Sequence, residues 1–295
     1  MKDQQKQTQD FFHRYAADWL KKASTDEYTN VNVIQQRNDY VLDVIKERKK
    51  TVQTLDVGCG TGELVCAIAK SNIQAIGIDF AADMIALAKK NAEKARLTKA
   101  TFSCTDFFSL QKEGNTYDVI SANGFIEYIS PEQLTEFMKK SRELLNEHGS
   151  LVFGSRNRLF NLFSLNSFTE NERAEKTVDA LLEESLALAK NADINNLQKL
   201  PSASLPATTK KQAKTGIDVE IRYQYTPAQL IKKLKENGFD IKNVSPIHIH
   251  GMIPEVKENH PKIHGTIANM LQSIANNNRR LIPYASSFMT HAVRR

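Results

Sequence analysis

The stretch TLDVGCGTGEL, residues 54–64, has the composition of a loop that lies against a ligand. Its glycines, at positions 58, 60 and 62, let backbone approach a bound molecule closely. The spacing is not that of a phosphate-binding loop: Glu63 stands where a dinucleotide fingerprint has its third glycine, and the P-loop lysine is absent. Asp56 and Glu63 would repel a pyrophosphate. The loop therefore favours a ligand that is neutral or cationic at its centre.

The apolar residues on both sides of this loop are spaced as in a βαβ unit. The strand TVQTLDV leads into the loop, a helix with Leu64, Val65 and Ile68 on one face follows, and the strand AIGIDF ends with Asp79 and Phe80. Strand and helix patterns continue to alternate as far as FDIKNVSPIHIH and ASSFMTHAV. This order predicts an α/β fold: a doubly wound, mostly parallel seven-stranded sheet with helices on both faces.

Two helices carry clear start and stop signals. Ser130, Pro131 and a capping-box Gln133 predict a helix that continues to just before Gly149. The segment TPAQLIKKLKENG repeats these signals, with a threonine cap, a proline at the first helical position and a glycine stop.

The motif Asp56-Val57-Gly58-Cys59-Gly60-Thr61-Gly62 resembles the first motif of the class I S-adenosylmethionine-dependent methyltransferases, an acidic residue followed by G-x-G-x-G. The resemblance covers about residues 52–155. S-adenosylmethionine suits the loop, since it carries a sulfonium and an ammonium and no phosphate. The resemblance implies methyl transfer with S-adenosyl-L-homocysteine as the product.

The resemblance also implies contacts with the cofactor. Gly58 and Gly60 would lie against its methionine portion, Asp79 would accept the ribose hydroxyls, and Asn123 would face the ammonium. The implied set is Asp56, Gly58, Cys59, Gly60, Asp79, Phe80, Met84, Asp106, Phe107 and Asn123, with Arg37 and Tyr28 from a helical lid. Alternatives stay open at two places: Phe107 with Phe108 as plain core, and Asn123-Gly124 as a simple turn.

Two classes of methyl acceptor, exocyclic amines and cytosine C5, are disfavoured by the sequence. The family's motif for exocyclic amines, N/D/S-P-P-Y/F, is replaced here by Asn123-Gly124-Phe125-Ile126, and none of the cysteines follows a proline, as cytosine C5 chemistry would need. The net charge of +6 comes from scattered basic residues rather than one patch. The sequence therefore argues against a nucleic acid as the partner. We expect a small-molecule acceptor, methylated on oxygen; the alternatives are an RNA methyltransferase and a non-catalytic S-adenosylmethionine-binding regulatory protein.

The chain exceeds the minimal fold in several places. We expect an N-terminal helical lid at 1–50, a Rossmann-like domain formed by 51–155 and 221–295, a cap insertion at 156–220 and a second insertion at 251–283. Both insertions leave the sheet at the carboxyl ends of its strands, where ligands bind. A capped pocket suits a small molecule.

Polar residues near that edge are candidates for contacts with the acceptor. Arg156, Asn157 and Arg158 follow the fifth strand and suit the carboxylate or phosphate of an acidic metabolite or sugar derivative, although a local ion pair is an equal alternative. His248, His250 and Glu127 are the candidates for a general base, although histidines in strands are more often satisfied structural residues.

The sequence predicts no metal site. His260 and His264 have half of a metal-binding spacing, but Pro261 separates them and no HExxH accompanies them. The three cysteines form no CxxC motif. We also expect a cytoplasmic location, because no run approaches the roughly 18 to 20 apolar residues of a membrane span. A homo-oligomer stays open.

Overall fold

A computed structural model describes residues 32–48, 52–111, 116–201, 205, 208–209 and 221–295. In chain order the strands are β1 (Gln53–Val57), β2 (Gln74–Asp79), β3 (Ala100–Cys104), β4 (Tyr117–Ala122), β5 (Leu145–Arg156), β6 (Thr208–Thr209), β7 (Ile221–Arg222), β8 (Phe239–Ile249) and β9 (Ala285–Arg294). The helices are α1 (Val33–Lys46), α2 (Glu63–Lys70), α3 (Ala82–Lys94), α4 (Pro131–Leu144), α5 (Asn161–Ser164), α6 (Ser167–Ala174), α7 (Val178–Ala189), α8 (Pro227–Glu236), α9 (Pro254–Asn259) and α10 (Pro261–Ala275).

Seven strands form the main sheet in the order β3-β2-β1-β4-β5-β9-β8. Neighbouring strands among β1 to β5 are parallel, and β9 runs antiparallel to both β5 and β8. The predicted doubly wound, mostly parallel seven-stranded sheet is confirmed. Its carboxyl edge carries the ends of β1, β2, β4 and β5 together with the end of β8, so residues distant in the chain meet there.

Alternating side chains on each strand supply a core on each face of the sheet. Leu55 of β1 belongs to the cluster that includes Phe137 of α4, whereas Ala75 of β2 belongs to the cluster that includes Val41 of α1 and Val65 of α2. This period-2 division of apolar residues places helices on both faces. The two layers hold the carboxyl edge in a fixed position.

The second insertion lies between β8 and β9 and contains α9 and α10. The described part of the 156–220 segment contains α5, α6 and α7, while residues 1–31, with the lid candidate Tyr28, lie outside the described residues. Among the described ranges, no helix combines the length and the apolar character needed to cross a membrane.

The helix that starts at Pro131 begins as predicted and ends differently. Ser130 and Gln133 form the capping box, but the helix ends at Leu144, and the prediction that it continues to just before Gly149 is wrong. Leu145 pairs with Tyr117 of β4 and is 0% exposed, so strand pairing and burial end the helix early. Gly149 instead lies within β5, where the pairing with β4 is irregular between Leu145 and Ser150 and a Cβ atom would lie 2.9 Å from the carbonyl oxygen of Asn146.

Candidate active site

The glycine loop between β1 and α2 is held against the end of β2. The backbone N–H groups of Gly58 and Cys59 both donate to the carbonyl of Ile78, at 2.9 and 3.0 Å. Gly58, Gly60 and Gly62 have φ values of 68°, 53° and 83°, a region that favours glycine. A Cβ atom at Gly60 would meet no atom within 4 Å. The loop therefore presents bare backbone to open space, as close approach of a ligand requires.

Asp79 fixes the same loop from the end of β2. Its Oδ2 accepts a hydrogen bond from the N–H of Gly60 at 3.0 Å, and its Oδ1 accepts one from the N–H of Ala81 at 2.9 Å. Each carboxylate oxygen can accept a second hydrogen bond. The arrangement fits a carboxylate that is positioned by backbone and accepts the hydroxyls of a ribose.

Asp56 lies buried beneath the loop. Its Oδ1 accepts a hydrogen bond from the hydroxyl of Ser121 at 2.7 Å. Burial raises the pKa of Asp56 to about 7 and the Ser121 hydrogen bond opposes this, while Glu63 and Asp79 raise the pKa further. Three acidic groups thus share one small region, which disfavours a phosphate and favours a cation.

Cys59 and Met84 face protein rather than the open side of the loop. The thiol of Cys59 packs against β2, where a Cβ atom at Gly77 would lie 2.8 Å from its sulfur. Burial raises the pKa of this thiol well above its usual value. Met84 is 1% exposed and packs with Ala81, with Phe80 and Leu87 beside them. Phe80, another member of the implied cofactor set, is half-buried and therefore more accessible than Met84.

Phe107 is a core residue, which is the alternative to cofactor binding that the sequence left open. It is 2% exposed and belongs to an aromatic cluster, with its ring centroid 5.2 Å from that of Phe137 and 5.8 Å from that of Phe108. Core packing therefore accounts for Phe107. Asp106 caps the short turn Phe107–Ser109 by accepting from the N–H of Phe108 at 3.3 Å.

The residues around the end of β4 form a polar pocket with α1. The side-chain N–H of Asn123 donates to Oδ1 of Asn38 at 3.1 Å, while Oδ1 of Asn123 is buried with no hydrogen-bond partner among the described residues. A buried acceptor without a donor is costly. The ammonium group of S-adenosylmethionine would supply that donor, so the pocket fits the cofactor.

Glu127 lies next to this pocket in an ion-pair cluster. Its carboxylate contacts Nη2 of Arg222 and lies 4.0 Å from Nη1 of Arg37. The Nη2 group of Arg37 also donates a hydrogen bond to the hydroxyl of Ser287 at 2.7 Å. Burial by itself would raise the pKa of Glu127, but Arg222, Arg156 and Arg37 together lower it. A carboxylate held ionised by arginines is a weak proton acceptor, which argues against Glu127 as a general base.

Arg156 is the member of this group that forms no ion pair with a described residue. Burial, and then repulsion from Arg222, lower its pKa to about 10, although Glu127 opposes the shift. The structure thus collects the guanidinium groups of Arg37, Arg156 and Arg222 around the carboxylate of Glu127.

Arg158 and Asn157 do not fit the predicted substrate role. Arg158 is 0% exposed and donates to both carboxylate oxygens of Glu172. The side-chain amide of Asn157 donates to the backbone carbonyls of Ile282 and Ala285, at 2.6 and 2.8 Å. Both side chains donate their hydrogen bonds to groups of the protein itself. Arg158 therefore forms the local ion pair that the sequence left open as the alternative to substrate binding.

His248 and His250 lie side by side at the end of β8, as their spacing predicts, and their ring centroids are 4.3 Å apart. Burial is the main cause that lowers the pKa of His248 well below its usual value and that of His250 to about 3. In the sheet β8 lies three strands from β4, about 14 Å at the usual strand spacing. A weak base this far from Asn123 is a poor candidate for the general base.

Sequence reasoning missed three residues of this edge. Arg222 pairs with Glu127, Asn38 pairs with Asn123, and His264 of α10 contacts His248. None of them belongs to a local motif, because each is far in sequence from its partner. In the sequence, the histidine spaced to pair with His264 is His260, and that pair did not indicate a metal site. In the structure His260 is exposed, and His264 contacts His248 instead.

The loop, Asp79 and the sheet order are features of a nucleoside-binding α/β protein, and a comparison with known families defines the class. Residues 48–215 match the family model described as a methyltransferase domain, which is more than half of the chain. The chain belongs to this family, the class I S-adenosylmethionine-dependent methyltransferases.

Individual relatives are more distant. The chain is 30% identical over 152 residues to a ubiquinone biosynthesis O-methyltransferase from Coxiella burnetii, covering 52% of this chain and 62% of that protein. It is 29% identical over 180 residues to a malonyl-[acyl-carrier protein] O-methyltransferase from Bacillus cytotoxicus, covering 59% of this chain and 60% of that protein. The chain thus spans about three fifths of these curated relatives.

A solved structure shares the fold over nearly the whole chain. Magnesium protoporphyrin IX methyltransferase from Synechocystis PCC 6803, solved with S-adenosylhomocysteine, superposes with a TM-score of 0.60 and 16% identity. The match covers 99% of this chain and 100% of that chain. At this identity the likeness concerns the fold.

Proposed function

We propose that this protein transfers the methyl group of S-adenosylmethionine to an oxygen of a small acceptor that carries a carboxylate. The observation that carries the proposal is the cluster of three arginines around one carboxylate, Arg37, Arg156, Arg222 and Glu127, at the edge of the sheet beside Asn123. Bound S-adenosylmethionine supplies an electrophilic methyl group on a sulfonium.

The charge balance of the cluster supports an acidic acceptor. The side chains of Arg37, Arg222 and Glu127 are 12%, 12% and 5% exposed, so little water screens them. Among the described residues, Glu127 is the carboxylate whose pKa is lowered beside these guanidinium groups, and a buried cation without a partner is costly. Within the described ranges, Arg156 has no side-chain hydrogen bond or ion pair in the protein. A carboxylate from the ligand would complete the cluster, and a planar guanidinium matches a carboxylate well.

The relatives support oxygen as the atom that is methylated. Both curated proteins described above are O-methyltransferases by name, and one acts on a malonyl group, an acidic acceptor. The chain's own residues would act mainly by position: Asp79 and Asn123 hold the cofactor, and the arginines orient the acceptor. Holding two reactants in line is worth roughly 7 kcal/mol or more, so methyl transfer needs little further machinery.

The cofactor's own carboxylate is a second anion that one arginine of the cluster could bind. The experiment must therefore separate loss of the acceptor from loss of the cofactor. We would measure methyl transfer from labelled S-adenosylmethionine to hydroxy acids and dicarboxylic acids, each paired with its neutral methyl ester or amide. In the same samples, the affinity for S-adenosylhomocysteine would be measured by calorimetry.

Arg156→Met tests the role of the cluster. We expect KM for the acidic acceptor to rise roughly 10- to 100-fold, which is the loss of one charge-assisted hydrogen bond, with little change in the affinity for S-adenosylhomocysteine. Arg173→Met is the matched control, because Arg173 is exposed and, among the described residues, forms its ion pair with Glu170 on the same helix. Asp79→Ala should remove cofactor binding and turnover together.

Other outcomes would reject the proposal. Equal turnover of acids and their neutral esters would contradict an acidic acceptor. Tight binding of S-adenosylmethionine without turnover of any acceptor would favour the regulatory alternative. Binding of RNA with a steep salt dependence, and methylation of that RNA, would favour the RNA alternative.

A further inference from the structure

Three histidines from two separate segments converge at the end of β8. Nε2 of His248 lies 3.4 Å from Nε2 of His264, and His250 supplies a third ring. One nitrogen from each ring can be chosen so that all three lie within 4.8 Å of one another. His248 and His264 are 5% and 0% exposed, so the cluster is an internal feature that joins α10 to the sheet.

Hydrogen bonds among the described residues do not account for the position of His250 in this cluster. A separation of 3.4 Å is long for an N–H···N hydrogen bond, which is usually about 3.0 Å. Both ring nitrogens of His250 are buried and have no hydrogen-bond partner among the described residues. A buried polar nitrogen without a partner costs stability. Two such nitrogens on one ring therefore indicate that His250 binds a ligand.

The distances match those of a tetrahedral metal site. Zn–N bonds of about 2.05 Å at tetrahedral angles place two ligand nitrogens about 3.4 Å apart. The Nε2 atoms of His248 and His264 have this separation. The third nitrogen belongs to His250, whose ring centroid is 4.9 Å from that of His264. A rotation of the His250 side chain would bring one of its nitrogens to the same ligand distance.

His248 has the surroundings of a metal ligand. Its Nδ1 lies 3.0 Å from the hydroxyl of Ser286, and with Nδ1–H as the donor of this contact the lone pair of the neutral ring lies on Nε2, the atom that faces His264. The backbone of His248 has φ of 57°, an uncommon value for a residue in a strand. Strained backbone of this kind concentrates at functional sites.

We propose that His248, His250 and His264 bind one divalent transition-metal ion of the Zn²⁺ or Co²⁺ type, with the fourth position open to water or another ligand. Mg²⁺ and Ca²⁺ prefer oxygen ligands, and the described cluster contains no carboxylate. Arg37 and Lys257 also place positive charge near His248, which opposes the binding of any cation, so the ion would need the strong metal–nitrogen bonds of a transition metal. The ion would fasten α10 to the sheet.

Tag-free protein, stripped with a chelator, would be titrated with Co²⁺ and followed by visible absorption, then challenged with Zn²⁺. We expect one Co²⁺ per chain, a tetrahedral spectrum, displacement by Zn²⁺, and a rise in the melting temperature with either ion. His264→Ala and His250→Gln should lose all of these. Ser286→Ala should weaken the affinity about 10- to 100-fold, because it removes the partner that orients His248.

Two histidines outside the cluster serve as matched controls. His260→Ala changes an exposed residue four positions before His264, and His291→Ala changes a histidine of β9 that bonds to Ser150. Both should retain the metal. Circular dichroism and S-adenosylhomocysteine affinity report whether each variant is folded, and His250→Gln serves as the test if His264→Ala is not. Wild-type protein that binds no Co²⁺, or a folded His250→Gln variant that binds it as wild type does, would overturn the proposal.

Discussion

At the scale of single residues, Asp56 couples the charge of the loop to pH. Its pKa in the folded protein is about 7, above the ordinary value of 3.8, because of burial. Between these values the native state keeps a proton that the unfolded chain has lost. The contribution to stability is therefore fully present below pH 3.8 and is lost as pH rises through about 7.

This sign gives a testable prediction for Asp56→Asn. The free energy of unfolding of the variant, relative to wild type, should increase from pH 5 to pH 8, since the asparagine stays neutral. In the wild type, the affinity for cationic S-adenosylmethionine should rise through about pH 7, and in the variant it should not. Denaturant unfolding and calorimetry at both pH values measure the two effects.

Glu184→Gln is the matched control for this prediction. Burial also raises the pKa of Glu184 to about 7, but its carboxylate accepts from the N–H of Ala228 at the start of α8, away from the loop. Its stability should change with pH in the same direction, while the pH dependence of cofactor affinity should match that of wild type. Loss of the affinity change in both variants would contradict the role of Asp56.

At the scale of elements, the glycine loop combines two different requirements. A Cβ atom at Gly62 would lie 2.8 Å from the ring of Phe102 and 2.9 Å from Cβ of Ala88, whereas Gly60 faces open space. Gly62 is therefore needed for packing of α2 against its neighbours, and we propose that Gly60 is needed for access by the ligand.

Alanine at these two positions should separate stability from binding. Gly62→Ala should lower the free energy of unfolding by about 1–3 kcal/mol through overpacking, on top of its left-handed backbone. Gly60→Ala should cost roughly 1–2 kcal/mol of backbone strain but weaken the affinity for S-adenosylhomocysteine more than Gly62→Ala does. Thermal unfolding and calorimetry test the pair, and the opposite ranking in affinity would show that Gly60 does not face the cofactor.

The same scale shows what sequence can predict. Local signals placed the loop, Asp79 and the starts of α4 and α8 correctly, because a capping box or a glycine turn is decided within a few residues. The end of α4 was missed because Leu145 is drawn into the sheet by its pairing with Tyr117. The partners of Glu127 and His248, Arg222 and His264, come from distant elements and leave no local pattern.

At the scale of the whole molecule, the described part of the predicted cap is fastened to the domain. Arg158 follows β5, and its guanidinium donates to Glu172 of α6, with Nη2 and Oε2 2.8 Å apart. The hydroxyl of Thr177 and the side-chain amide of Asn161 also donate to this carboxylate, and the amide of Asn161 donates in addition to Oε1 of Gln224, which lies outside the cap segment. A fully buried network of this kind holds α6 in one position rather than allowing it to move as a free lid.

Breaking this network on one side should therefore destabilise the whole fold. Arg158→Met leaves the carboxylate of Glu172 buried without its cation, at an expected cost of about 3–5 kcal/mol in the free energy of unfolding. The double variant Arg158→Met with Glu172→Leu removes both charges and should recover much of that loss. Denaturant unfolding of the single and double variants measures the coupling.

The exposed pair Glu170–Arg173 on the same helix gives the comparison. Removing Arg173 should change the free energy of unfolding by less than about 1 kcal/mol, because solvent screens that pair. If Arg158→Met left stability unchanged and instead raised KM for an acidic acceptor, Arg158 would be a substrate residue after all. The buried contacts predict the reverse: a large change in stability, with the acceptor's carboxylate bound through Arg156 instead.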